Sequence, residues 1–226
     1  MKKNQLITMV SALALVGALG IGSTLAFLQA QSEVVTNTFT VGKDLNEDDI
    51  LLDEAKVVAV ADGYDAVENA EVPSNRHQEN KYENIQAGDK LFKDPQVHIA
   101  ADTADCYVFV KISGIDALKG KGITVDDWDG NSWVKFDGSD AGTDGVYYYK
   151  VGSDNVVKTS TAVQDLPKLF TGLTVADDAV FYDENGTQID LDPIVAQACA
   201  VQAKNLTLEE AAYESSWVAR PVKPTE

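Results

Sequence analysis

The sequence is poor in basic residues, in histidine and in cysteine, and each shortage argues against a class of function. It holds 18 lysines and arginines against 36 aspartates and glutamates, which gives a net charge of −18. Such a chain offers no basic patch to neutralise phosphates, so nucleic acids and anionic membrane surfaces are not expected as partners. Two cysteines, Cys106 and Cys199, are too few to form the scaffold of a small disulfide-built protein.

The two histidines, His77 and His98, do not form the pattern that a helical zinc protease needs. That chemistry uses an H-E-x-x-H segment, in which two imidazoles one helical turn apart bind zinc and the glutamate activates water. No G-x-S-x-G nucleophile motif is present either, and both cysteines lie in apolar segments typical of a core. The sequence therefore predicts no catalytic residue and no cofactor.

The N-terminal region lacks charge between Lys3 and Glu33 and is long enough in its apolar part to cross a bilayer. Two lysines, a Leu/Ala/Val/Gly-rich middle and small residues at Thr24 and Ala26 are the order of parts in a secretory signal. We predict a signal peptide over 1–26, cut between Ala26 and Phe27, so that contact with the membrane is transient. A retained membrane anchor is the alternative, although no cluster of Lys or Arg follows the apolar run.

Export would place the two cysteines where a disulfide can persist. Cys106 lies in CYVFVKI and Cys199 in AQACAVQA, two segments that both have the character of strands. A buried bridge requires that the two strands are neighbours and that the Cα atoms approach to about 6 Å. Two buried thiols are the equally weighted alternative, because cysteine is among the most buried residue types.

Alternation of apolar and polar residues dominates the rest of the chain and predicts an all-β protein. In residues 105–112, Cys106, Val108, Val110 and Ile112 fall on one face of a strand. Nine short strands of this kind, with turns between them, indicate an antiparallel β-sandwich. The predicted strands cover 34–41, 56–61, 95–100, 105–112, 133–136, 145–151, 168–175, 179–182 and 194–203.

One domain is expected over 27–219, since its length suits a single core. The polar segment 62–81 lacks periodicity and is interpreted as a long insertion loop. A short C-terminal helix is predicted after Thr207, which forms a T-x-x-E capping box with Glu210. The terminal residues 220–226, RPVKPTE, are expected to be a disordered tail.

One acidic loop is a weak candidate for a calcium site. The segment VDDWDGNSW brings hard oxygen ligands close together in the chain, namely Asp126, Asp127, Asp129 and Asn131. It lacks the spacing of an EF-hand loop, and a charged turn is the simpler interpretation.

The order of several motifs carries a family resemblance over nearly the whole chain apart from 62–81 and the tail. These motifs are TLAFLQAQSEVVTNTFTVG, YENIQAGDKLFKDPQVHIA followed by DCYVFVKI, DGVYYYKV, KLFTGLTV, AQACAVQA and EEAAYESSW. In this order they resemble the TasA/camelysin family of exported proteins from Gram-positive bacteria. The two cysteines and the RPVKPTE tail depart from the family pattern.

The resemblance implies a jelly-roll β-sandwich whose leader is removed by a dedicated signal peptidase. It also implies fibres that form when the N-terminal segment of one subunit adds as a strand to the next. Residues 27–41 suit that role, since strand addition needs an extended segment with alternating side chains and this stretch contains neither Pro nor Gly. The residues expected in the assembly strand are Phe27, Leu28, Val34, Val35, Phe39 and Val41. We expect 37–41 to be the domain's own first strand and 27–34 to be the donated part.

The expected function is therefore that of a secreted structural subunit of extracellular matrix (biofilm) or cell-surface fibres in a Gram-positive bacterium. The partners would be other copies of the chain, in head-to-tail order, and an accessory assembly protein. A monomeric surface adhesin or cation-dependent binding module is an alternative. A camelysin-like surface metalloprotease is a further alternative that rests on the family's enzyme name alone.

Overall fold

A computed structural model describes residues 29–31 and 45–220 of the chain. The described residues contain fourteen strands and two α-helices, with short 3₁₀ turns at Glu47–Asp49 and Pro73–Asn75. The strands are β1 (Gln29–Gln31), β2 (Ile50–Ala55), β3 (Val57–Val60), β4 (Gly63–Ala66), β5 (Arg76–His77), β6 (Lys90–Phe92), β7 (Gln96–Ile99), β8 (Cys106–Ser113), β9 (Ile123–Asp126), β10 (Trp133–Lys135), β11 (Gly145–Tyr149), β12 (Gln164–Asp165), β13 (Gly172–Val175) and β14 (Val195–Gln202). The helices are α1 (Ile115–Lys119) and α2 (Leu208–Glu214).

The strands form three sheets that are antiparallel except for the parallel pair β4–β6. Sheet I has the order β1-β14-β8-β11-β10, sheet II the order β12-β7-β2-β5, and sheet III the order β3-β4-β6-β13-β9. The predicted all-β, antiparallel sandwich is thus confirmed, while the jelly-roll connectivity stays a prediction. Among the described residues, no helix combines the length and the apolar character that a bilayer crossing requires.

Sheet I is covered on both faces because its long strands are apolar on both sides. In β8, Val108 and Val110 belong to the main core, which also contains Leu52 and Val97 of sheet II and residues of sheet III. The intervening Phe109 belongs to a second, smaller cluster. The alternation predicted for residues 105–112 is therefore confirmed, and each fully buried Val or Leu side chain contributes roughly 1.5–3 kcal/mol.

The second cluster is closed by α2, the helix predicted from the capping box. The Thr207 hydroxyl accepts a hydrogen bond from the backbone N–H of Glu210, and the Glu210 carboxylate accepts one from the backbone N–H of Thr207. Ala211 and Ala212 are fully buried against this face of sheet I, and Trp217 packs beside them. The capping box therefore fixes where the helix begins, and its two alanines allow close packing.

Two sequence interpretations were wrong. The segment 62–81 is not simply a loop, because it contains β4 and β5 and one of its side chains, Arg76, is buried. Residues 179–182 do not form a strand; Tyr182 makes only an isolated antiparallel bridge with Gln188. The strands of 62–81 depend on partners distant in the chain, which local periodicity does not register, whereas 181–191 forms a hairpin of its own.

Candidate functional site

The edge of sheet I is the first feature of functional interest. β14 pairs on one side with β8 over eight residue pairs, and on the other side with β1 over three pairs among the described residues. The three pairs place Gln29 opposite Val201, Ala30 opposite Ala200 and Gln31 opposite Cys199. The outer edge of β14 is thus covered here by residues from the segment predicted to be donated.

Further along the same edge, β14 borders a groove between sheets I and II. Among the described residues, Val195, Ala196 and Gln197 have a strand partner on the β8 side alone. The groove beside them, called here the β14 groove, has a volume of about 230 Å³ and is otherwise lined by Leu52, Asp53, Glu54 and Lys93, among others. A strand edge beside such a groove, with described partners on one side alone, is the arrangement that accepts an added strand.

Gly114 sets the position where this edge begins. It follows β8 directly and adopts φ +96°, a left-handed conformation that favours glycine. A Cβ atom there would lie 2.2 Å from the carbonyl oxygen of Pro193, two residues before β14. The close approach of these two backbones brings the start of β14 against the end of β8.

A buried ionic cluster lies in sheet II, and Asp53 joins it to the β14 groove. Arg76 donates from Nε to Asp53 Oδ1 at 2.6 Å and from Nη1 to Asp94 Oδ2 at 3.0 Å. Asp94, which is fully buried, also accepts from the backbone N–H of Ala55 and pairs with Lys168 at 3.0 Å. Burial opposes ionisation of Asp53, but hydrogen bonds from His98 and Arg76 outweigh it and lower the pKa of Asp53.

His98 extends the cluster to the surface. Its Nε2 lies 3.0 Å from Asp53 Oδ1, and its Nδ1 lies 2.7 Å from Oδ1 of the exposed Asp165 on β12. Burial by itself would lower the pKa of His98, but the hydrogen bonds to the two carboxylates outweigh that effect, so the pKa is raised. The protonated imidazole therefore links β2, β7 and β12 electrostatically.

We expect the charge of His98 to make stability depend on pH. Because its pKa is higher in the folded state, its contribution is complete below the unfolded value of about 6.5 and is lost as pH rises through the folded pKa. Between neutral and mildly alkaline pH, the free energy of unfolding of the His98→Asn variant should therefore fall less than that of the parent chain. Urea unfolding at several pH values in this range would measure the free energy of unfolding.

The matched control is His77→Asn, which removes the other histidine. Its Nε2 contacts Asn80 rather than a carboxylate, so this variant should keep the parent's decline. An identical decline in the His98→Asn variant and the parent would contradict the assignment. The loss of stability at acid pH, where Asp53 becomes protonated, should be kept in His77→Asn and reduced in His98→Asn, because His98 helps to lower the pKa of Asp53.

The proposed calcium ligands are not gathered into a metal site. Asp126 accepts from the hydroxyl of Thr174, and Asp127 from the hydroxyl of Thr171. Asp129 accepts from the backbone N–H groups of Asn131 and Ser132, as in a hydrogen-bonded turn. In 29–31 and 45–220, no group of three or more His, Cys, Asp or Glu side chains is arranged to hold a metal ion.

The two cysteines form no disulfide with each other. Their strands are neighbours, as the bridge would require, but the residue opposite Cys106 is Gln202 and the residue opposite Cys199 is Phe109. Cys106 belongs to the main core and Cys199 to the second cluster, so the thiols lie on opposite faces of sheet I. Burial raises the pKa of the Cys106 thiol to about 12, which makes it a poor nucleophile.

Several predicted features lie outside the described residues. They are the signal peptide and its cut between Ala26 and Phe27, residues 221–226 of the tail, and the assembly residues Phe27, Leu28, Val34, Val35, Phe39 and Val41. Of the segment predicted to be donated, Gln29–Gln31 is described.

The ionic cluster was missed by sequence reasoning, although one signal was available. The chain has two arginines, Arg76 and Arg220, and Arg76 stands in a polar stretch that resembled a loop. Its partners Asp53 and Asp94 are 23 and 18 residues away. A rare arginine in a strongly acidic chain is a candidate for a buried charge pair, since Arg suits such sites.

Comparison with known proteins adds no family assignment. No protein-family model, no curated protein and no solved structure matches the chain.

Proposed function

We propose that this chain is a secreted structural subunit of extracellular matrix (biofilm) or cell-surface fibres, assembled by donation of its N-terminal segment to the next subunit. The observation that supports this most directly is the pairing of Gln29–Gln31, within the segment predicted to be donated, with the outer edge of β14. Among the described residues β1 is the last strand on this side of sheet I, and such an edge position can be taken by the same segment of a neighbouring subunit.

The β14 groove gives a donated strand somewhere to continue. A neighbour's segment that added in the register of Gln29–Gln31 would next run beside Ala198, Gln197 and Ala196 and cover the groove. Backbone hydrogen bonds would then supply affinity, and alternate side chains would supply register. Because the donor and the acceptor are different surfaces, the contact does not close and produces a filament.

The resemblance to the TasA/camelysin family supports the same role, with a dedicated signal peptidase exposing the N-terminal segment and an accessory protein assisting assembly. A protease function has no support from the described residues, which offer no gathered metal ligands.

A cysteine at position 31 tests the exchange directly. Gln31 lies opposite Cys199, and opposed residues of an antiparallel pair have Cα atoms about 4.5–5.5 Å apart, within disulfide range. If the segment is donated, the Gln31→Cys variant should form covalent oligomers when fibres are oxidised. Non-reducing gel electrophoresis would show them as a ladder of bands that reducing agent abolishes.

The matched control is Ala30→Cys, one position out of register, which faces Ala200 and has no thiol opposite it. This variant should give no ladder. A Gln31→Cys protein that forms fibres yet cross-links within single subunits would show that β1 stays on its own chain, and the donation mechanism would be wrong.

A further inference from the structure

A second depression lies away from the β14 edge and has the chemistry of a ligand site. It measures about 620 Å³, within the range of roughly 300–1,000 Å³ usual for small-molecule sites. One wall is the segment 82–87 and the other is a hairpin over 181–191. Because Tyr182 stands on its rim, the depression is called here the Tyr182 cleft.

The floor of the Tyr182 cleft is apolar and fixed to the core. Tyr82, Ile85, Phe181 and Leu191 are partly buried and pack against the main core cluster. The Tyr82 hydroxyl donates to the carbonyl oxygen of Phe92 at 2.7 Å, and burial raises the pKa of Tyr82. These side chains leave an aromatic surface at the bottom of the cleft that the other described residues do not cover.

The walls are held in place by hydrogen bonds. In the hairpin, Asp183 and Ile189 donate from their backbone N–H groups to Thr187 and Phe181 across the two arms. The Asp183 carboxylate accepts from two backbone N–H groups of the turn, which lowers its pKa. On the other wall, the Tyr64 hydroxyl bonds both the N–H and the carbonyl of Glu83. A cleft fixed in this way loses little entropy on binding.

The rim presents polar side chains that are not engaged within the described part of the chain. Asn84, Gln86, Gln188 and Asp190 are exposed, and their own side chains make no hydrogen bond with another described residue. Beside them, the Tyr182 side chain is left 61% exposed. Amides offer paired donors and acceptors, and an aromatic ring offers a flat apolar face.

We infer that the Tyr182 cleft binds an uncharged oligosaccharide. A sugar ring has an apolar face that stacks on an aromatic side chain and a rim of hydroxyl groups that pair with amide and carboxylate groups. The described residues that line the cleft include no Lys, Arg or His, and Asp190 together with the acidic surface repels anions. These features select against phosphorylated ligands and acidic polysaccharides.

Calorimetric titration of the exported chain tests this, with cellohexaose and N-acetylchitohexaose as neutral probes and hexagalacturonic acid as the anionic probe. At least one neutral probe should bind saturably, and the anionic probe should bind at least about tenfold more weakly. Tyr182→Ala should weaken the neutral probe at least about tenfold, while Tyr182→Phe should retain binding because the ring is kept.

Tyr213→Ala, which removes a tyrosine from α2 outside the cleft, is the matched control and should bind like the parent. Because Tyr182 is exposed, its replacement should leave the fold intact, which circular dichroism would verify. Absence of binding by both neutral probes, equal affinity for the acid, or unchanged binding by Tyr182→Ala would each overturn the inference. The result does not depend on fibre assembly, since the cleft lies within one subunit.

Discussion

Replacement of Arg76 by methionine should lower the free energy of unfolding by about 3–5 kcal/mol, the usual cost of removing one partner from a buried ion pair. Arg76 is 8% exposed and bonds both Asp53 and Asp94, which are 9% and 0% exposed. Methionine fills similar space but leaves two buried carboxylates without their shared cation. Urea unfolding followed by tryptophan fluorescence would measure the loss.

The control for Arg76→Met is Lys158→Met, since Lys158 also pairs with two aspartates but does so at the surface, where it is 59% exposed. Water screens such pairs, so this variant should unfold almost like the parent. A triple variant with Arg76→Met, Asp53→Asn and Asp94→Asn should recover part of the loss, because no buried charge remains unpaired. A loss below about 1 kcal/mol in Arg76→Met, typical of an exposed pair, would mean that the cluster does not stabilise the fold.

Deletion of residues 27–35 should abolish fibres while the β-sandwich still folds. The deletion removes β1, but sheet I keeps the eight residue pairs between β14 and β8, and both core clusters remain. Electron microscopy would score fibres, and circular dichroism would score the fold. A synthetic peptide of residues 27–35 should bind the truncated subunit, since the edge of β14 is then open.

The same truncated chain should also act as a chain terminator. It can accept a strand from a neighbour but cannot donate one, so small amounts added to the full-length exported chain should shorten its fibres. Truncated chain carrying Val195→Pro is the comparison, since proline in a strand removes a backbone donor and disturbs the accepting edge. Fibres of normal length and number from the truncated chain alone would contradict donation by this segment.

Local chemistry accounts for what the sequence predicted correctly. The period of two in residues 105–112 predicted β8 because Cys106, Val108, Val110 and Ile112 form one aliphatic face, which is the face that enters the main core. The Thr207–Glu210 pair predicted the start of α2, since a capping box requires only residues three apart. Both patterns could be recognised in the sequence because each is formed by residues that are close together in the chain.

Contacts between distant residues account for what was missed. β2 carries Asp53 and Glu54 at buried positions, where the sequence pattern of a strand calls for apolar residues. Their burial is possible because Arg76 pairs with Asp53 and Lys93 pairs with Glu54. β5 has two residues and exists because it pairs with β2. The β14 groove and the Tyr182 cleft form where segments far apart in the chain meet, so no local sequence motif predicts either of them.

Because the two cysteines lie on opposite faces of sheet I, their reactivity reports the opening of each face separately. Cys106 is in the main core cluster and Cys199 in the second, and both residues are fully buried. A thiol reagent can reach each sulfur only when its own side of the sheet opens, so the two labelling rates report two local opening reactions. Mass spectrometry of each modified cysteine would reveal whether the helix side of the sandwich loosens before the main core does.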